Sequence, residues 1–328
     1  MRLSHTVLAI FLLVINADFL HAQSLLHQIQ EIPLPKVQGR IDHMAVDITD
    51  SRLFIVALEN DTVEIVDLKT GRLMKTIKGL NEPQGIAYVE EFSKLFLTNG
   101  GDGRCSVYDS RSLLLLDTIR LKTDADNIRY DGSSKRLYIG YGNGAIGIID
   151  AANHHRLGDV PLEGHPESFQ LEKSTDRIYV NVPSAGHVAV IDLKKKAVIE
   201  TWSVTGSNYP MALIEDRHQL LVVTRKPSKL VILDTRSGRK IADLQCVSDA
   251  DDIFYDVKRE RIYISGGEGF VDVFGETDSG NFQRIARTRT APRARTSLWV
   301  PELNCLFVAV PAGSQREAAI FVFEATAR

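Results

Sequence analysis

Cysteine is scarce in this chain: there are three in 328 residues, an odd number that rules out a disulfide framework. No CxxC, HExxH or GxSxG occurs, so the common zinc, haem and serine-hydrolase motifs are missing. Aromatic residues make up only 7%, and neither sign of charge dominates, since 39 Lys and Arg against 42 Asp and Glu leave a formal net charge of −3. Nothing in that balance draws the chain towards nucleic acid or anionic lipid. Long apolar runs are missing too. The strongest, Val7 to Ile15, has roughly nine residues and falls short of the ~20 that a membrane-spanning helix needs. With 44% hydrophobic and 25% charged residues, the whole has the composition of a soluble globular chain, not of a disordered, collagen-like or membrane-spanning one.

Arg2 and His5 precede the apolar run, and Leu20-His21-Ala22 places a small residue where signal peptidase cuts. Residues 1–22 therefore read as a secretory signal peptide, with a mature chain starting near Gln23 and no cysteine there for a lipid anchor. The expected location is periplasmic or secreted, without stable membrane insertion after cleavage.

Past the leader the chain is periodic. One dipeptide recurs within strand-like runs: Leu53-Phe54, Leu95-Phe96, Leu137-Tyr138, Ile178-Tyr179, Leu220-Leu221, Ile262-Tyr263 and Leu306-Phe307, spaced 42, 42, 41, 42, 42 and 44 residues apart. Each unit reads as four short strands; in the second they are Gly85 to Tyr88, Lys94 to Thr98, Cys105 to Asp109 and Leu114 to Arg120, with Gly, Asn, Asp and Ser between them. No segment has helical periodicity. Seven such units predict an all-β, seven-bladed β-propeller of four-stranded antiparallel blades, one domain over residues 23–328, with the residue after each anchor filling a layer between blades. The last unit ends after its third strand, Ile320 to Glu324. The segment His27 to Leu34 echoes the fourth strand His155 to Leu162, so the N-terminal strand is expected to complete the seventh blade and close the ring.

The runs Leu95-Phe96-Leu97-Thr98-Asn99 and Ile178-Tyr179-Val180-Asn181, with the third-strand endings Ile65-Val66-Asp67-Leu68, Ile148-Ile149-Asp150 and Val190-Ile191-Asp192-Leu193, resemble the YVTN-repeat β-propeller proteins. The likeness runs over nearly all of the expected mature chain. It departs in units six and seven, where Gly275 and Glu324 replace the aspartate. What the resemblance implies is an exported propeller from a family dominated by binding and surface roles. It brings no fixed catalytic residues.

Residues ten and eleven before each anchor form two equivalent columns that should ring the mouth of the central channel, where ligands bind. The nearer is His43, Gly85, Asn127, Ser168, Pro210, Asp252 and Thr296; the farther is Asp42, Gln84, Asp126, Glu167, Tyr209, Asp251 and Arg295. Five acids against one arginine leave −4 there with the histidine neutral, a field that attracts cations. Asp126 and Glu167 stand in adjacent blades as a paired carboxylate, with Asn127 as a neutral oxygen donor, and such oxygen sets suit Ca²⁺ or Mg²⁺. Asp251, Arg295 and Asp42 look like an arginine clamped between acids. A structural reading competes throughout: Asp and Asn favour turns and strand starts, and a lone His43 suits a satisfied structural histidine as well as a ligand or base.

Other signals weaken on inspection. Gly142 to Gly147 matches GxGxxG but leads into a strand, so it is a hairpin turn without the helix N-terminus a phosphate site needs, as are Gly100 to Gly103 and Gly266 to Gly269. Cys105, Cys246 and Cys305 fall in units two, five and seven, which are not ring neighbours, and read as buried hydrophobes. Arg284, Arg287, Arg289, Arg293 and Arg295 form the one basic concentration. With only Phe282 near for stacking, the run reads as a solvated outer strand, against a nucleic-acid partner.

The leading expectation is a non-catalytic, monomeric propeller binding a small molecule, cation or partner protein at its top face through Asp42, His43, Gln84, Asp126, Asn127, Glu167, Tyr209, Asp251, Asp252 and Arg295. The alternative is a divalent-metal lactonase or lyase: Asp126, Asn127, Glu167 and Asp251 would hold the metal, and His43 or Asp252 would move the proton.

Overall fold

The computed structural model describes residues 25–277 and 280–326; the expected signal peptide lies outside them. Seven four-stranded antiparallel sheets follow one another along the chain. Their innermost strands are Met44–Asp47, Pro83–Val89, Ala125–Asp131, Phe169–Glu172, Asn208–Ile214, Ala250–Asp256 and Ser297–Val300, opening blades 1 to 7 in that order. Blade 2 follows the expected plan, with strands Pro83–Val89, Lys94–Asn99, Arg104–Asp109 and Leu115–Arg120. Leu26–Leu34 pairs antiparallel with Ala318–Ala325, from His27 opposite Glu324 to Leu34 opposite Ala318, so the N-terminal strand closes the ring as expected.

The dipeptide explains how the ring is assembled. Side chains alternate faces along a strand, so the two residues of each anchor point to opposite sides of the blade. Leu53 packs with Ile320 and Val322 of blade 7, whereas Phe54 packs with Leu95 and Leu97 of blade 2. The same division holds around the ring: Leu137 faces blade 2 and Tyr138 blade 4, while Leu306 faces blade 6 and Phe307 blade 1. Each anchor thus stitches one blade to both neighbours, and all fourteen side chains are at most 3% exposed.

Two further periodic positions are backbone devices. Two residues before each anchor stand Ser51, Ser93, Lys135, Asp176, His218, Glu260 and Asn304, all left-handed with φ between 50° and 58°. Such a residue costs about 1 kcal/mol. Its carbonyl receives an amide from the end of the blade's third strand, as in Leu68 N to Ser51 O at 2.8 Å and Ser110 N to Ser93 O at 2.9 Å. The aspartate ending the third strand caps the next turn: Asp67 Oδ1 accepts from the amides of Lys69 and Thr70, and Asp109, Asp150 and Asp234 repeat the pattern. Its loss in the last two units now has a reason. Blade 6 turns later, after Glu276, and blade 7 has no such hairpin because its fourth strand arrives from the N-terminus.

Cys105, Cys246 and Cys305 are buried free thiols. The basic run of blade 6 is largely engaged internally: Arg284 and Arg287 both pair with the buried Asp272, at 3.3 and 2.6 Å. Among the described residues no helix is long and apolar enough to cross a membrane.

Candidate functional site

The starts of the inner strands converge on a small polar pocket lined by Arg40, Asp42, His43, Asp126, Asn127, Glu167, Ser168, Tyr209, Asp251 and Asp252. Below it lies a cavity of about 390 Å³, also bordered by His43, Ser168 and Asp252. The two columns therefore meet at the channel mouth, with exceptions. Gln84 turns towards Asp124, donating from Nε2 at 3.2 Å, and Thr296 donates to the Ile41 carbonyl at 3.1 Å.

The mouth is held by the repeat. Three residues after the anchor, Thr98, Asn181 and Ser265 each reach into the next blade and donate to a main-chain carbonyl of the farther column: Asp126 at 2.5 Å, Tyr209 at 2.7 Å and Arg295 at 2.6 Å. Gly85 completes one of these bridges by receiving no side chain. A Cβ there would stand 2.3 Å from the Asp126 carbonyl oxygen and 2.6 Å from Thr98 Oγ1.

The acids do not form an open anionic funnel. Arg40, outside both columns, pairs with Asp42 at 3.0 Å and approaches Asp251 at 3.9 Å. Arg225 pairs with Asp251 and stacks over the Tyr209 ring at 3.6 Å. Arg295 is clamped as expected, but between Asp249 at 3.0 Å and Asp251 at 2.9 Å; Asp42 takes Arg40 instead. His165 lies 3.8 Å from Asp126 and 3.3 Å from Asp124 while its Nδ1 donates to the Gly142 carbonyl at 2.7 Å. Arg40, Arg225 and His165 escaped the column reading because Arg40 and His165 come from loops and Arg225 from the far end of a second strand. Arg225 did leave a signal: it stands five residues after its anchor, where Gly100, Gly142 and Gly267 stand in blades 2, 3 and 6.

Burial dominates the protonation of these groups. It lifts Asp252 to about 7, against His43 and the Ser297 amide, which donates at 2.7 Å. It also raises Glu167, with repulsion from Asp126 adding to it, whereas His165, His43 and Arg40 outweigh burial at Asp126 and hold that partner low. The His43 pKa is raised because Asp42, Asp252 and Asp126 outweigh its desolvation. Four buried polar atoms of the mouth have no hydrogen-bond partner among the described residues; Asp42 Oδ2 and Asp251 Oδ2 meet arginines as ion pairs, which leaves Asn127 Oδ1, an acceptor, and Arg40 Nε, a donor.

As a metal site the set is partly spoken for, since Asp251 already carries two arginines. Among the described residues no three His, Cys, Asp or Glu side chains are grouped to hold an ion.

No family model matches the chain, and no curated protein matches its sequence. Solved structures match the fold. A hydrazine synthase of Kuenenia stuttgartiensis is 17% identical with a TM-score of 0.74, covering 89% of this chain and 96% of its own. The U3-55K structure is 10% identical with a TM-score of 0.76, over 90% of this chain and 98% of that one. The RRP9 WD40 repeats are 11% identical, also at 0.76, over 91% and 98%. The class is a seven-bladed β-propeller with WD40-like structural neighbours, a fold compatible with binding.

Proposed function

We propose that this chain is an exported, non-catalytic propeller of the YVTN-repeat kind that binds a small polar molecule at its channel mouth. One observation carries the reading: Asn127 Oδ1 and Arg40 Nε, an acceptor and a donor, are buried without partners in a cluster where Arg40, His165, Arg225 and Arg295 already meet Asp42, Asp126 and Asp251. A buried group without a partner costs about 1–3 kcal/mol, which a ligand offering one donor and one acceptor recovers. The paired acids favour such a neutral or zwitterionic molecule over a bare cation. Export is supported by the leader-like pattern of residues 1–22.

A second reading keeps a specific observation in its favour. Asp252, lifted to about 7 beside His43, suits proton transfer, as a divalent-metal lactonase or lyase would require with Asp126, Asn127, Glu167 and Asp251 as ligands. One experiment separates the two: thermal melts with polar metabolites, EDTA, Ca²⁺ and Mg²⁺, alongside elemental analysis of the isolated protein. The binding reading expects a saturable rise with a metabolite, lost in Asn127→Ala, and no response to either metal. Stoichiometric metal, lost in Asp126→Asn/Glu167→Gln, would replace it with the enzyme.

A further inference from the structure

Eight residues before the anchor, on the inner strands, the blades carry Ala45, Ala87, Arg129, Gln170, Ala212, Phe254 and Leu298. This column packs the inner edge of the layers between blades; Ala212, Phe254 and Leu298 join the hydrophobic clusters there. A guanidinium in blade 3 breaks the pattern. Arg129 borders the 390 Å³ cavity below the mouth and lies over the Phe169 ring at 5.6 Å. Its Nη1 donates to the carbonyl of its own neighbour, Ile128, at 2.9 Å, and no carboxylate comes within 4.0 Å of it among the described residues. The acids that face it, Asp126 and Asp252, are engaged elsewhere, by His165 and by the Ser297 amide. Every other arginine of the channel mouth has a carboxylate partner.

A charge held in a low-dielectric channel without a carboxylate at ion-pair distance is costly, and six blades pack the same position without one. The walls around it add the rest of a pocket. Ile253, Phe254, Leu298 and Trp299 supply an apolar surface, and the Trp299 indole N–H is buried without an acceptor. A planar guanidinium matches the two oxygens of a carboxylate, and the cavity is at the small end of the ~300–1,000 Å³ typical of ligand pockets.

We infer that the central channel holds an anion site in which Arg129 binds the carboxylate of a small organic acid whose apolar body packs on Phe254, Leu298 and Trp299. The site borders the mouth, sharing His43, Ser168 and Asp252 with it, but does not depend on the function proposed there. Calorimetry of the intact protein with benzoate, and with benzamide as the neutral isostere, tests it. Benzoate should bind saturably, benzamide at least tenfold more weakly, and Arg129→Gln should lose at least tenfold of the benzoate affinity while Arg129→Lys loses less. Equal binding of the two probes, unchanged affinity in Arg129→Gln, or no saturation by about 10 mM benzoate would overturn the proposal. Should the variant not fold, phenylglyoxal labelling of the wild type gives the answer. Benzoate must slow modification of Arg129 and leave the exposed arginines unaffected, and equal labelling with and without it would refute the site.

Discussion

Several groups at the channel mouth titrate differently once the chain is folded. Burial lifts Asp252 to about 7 and raises Asp42 and Glu167. His165 reaches about 9 because Asp126, the Gly142 carbonyl and Asp124 outweigh its desolvation. A carboxyl that holds its proton more tightly when folded favours the folded state while protonated, so that contribution falls as pH rises from about 4 towards 7. A histidine with a raised pKa contributes fully below 6.5, and its share is lost as pH rises through about 9. Both arms slope the same way. The turn aspartates Asp67, Asp109, Asp192 and Asp234, held low by hydrogen bonds within their turns, act below this range. With EDTA present, the melting temperature should therefore decline by several degrees between about pH 5 and pH 8.5. Asp252→Asn should flatten the lower arm and His165→Gln the upper. A melting temperature that climbs with pH would contradict the burial of Asp252 and Glu167 and the acidic surroundings of His165.

Among the elements, the anchor dipeptide needs only neighbours in sequence and was legible there, whereas the aspartate-capped turn, equally local, showed there only as a recurring third-strand ending. The links between blades were less so. Arg52 begins the second strand of blade 1, where its Nε and Nη2 donate to Asp47 Oδ2 at 3.2 and 2.6 Å and its Nη1 donates to the Ser110 carbonyl of blade 2 at 2.5 Å. Asp47 is fully buried, so Arg52→Met leaves its charge without compensation and should cost about 3–5 kcal/mol in urea unfolding. Adding Asp47→Leu should return much of that loss, because a buried pair replaced by apolar groups is often neutral. A single variant within about 0.5 kcal/mol of the wild type would show that this contact does not hold the two blades together.

At the scale of the whole molecule, stability depends on closure. Leu26, Ile32 and Leu34 are at most 1% exposed against the last sheet, and removing residues 26–34 would uncover the edge of Ala318–Ala325. The deletion should lower the melting temperature by at least about 10 °C and produce higher oligomers on gel filtration, since an unpaired edge recruits strands. Grafting the segment onto the C-terminus through a flexible linker should restore both. An unchanged melt in the deleted protein would mean that the ring holds without its closing strand.

The sequence by itself determined the number of blades, the closing strand and the second anchor residue as filler of the layers between blades, because strand patterning and turn chemistry are local and recur every 42 residues or so. It also identified most of the mouth, since equivalent positions in a closed ring must converge. Only the tertiary structure decided how the charges there are used. Arg40 and His165 reach the acids from loops and Arg225 from a strand end, each in a different blade, and Arg129 is left facing the channel with no carboxylate at ion-pair distance. Such pairings depend on distances across the ring between residues as far apart as Arg40 and Asp251, for which a local repeat carries no information.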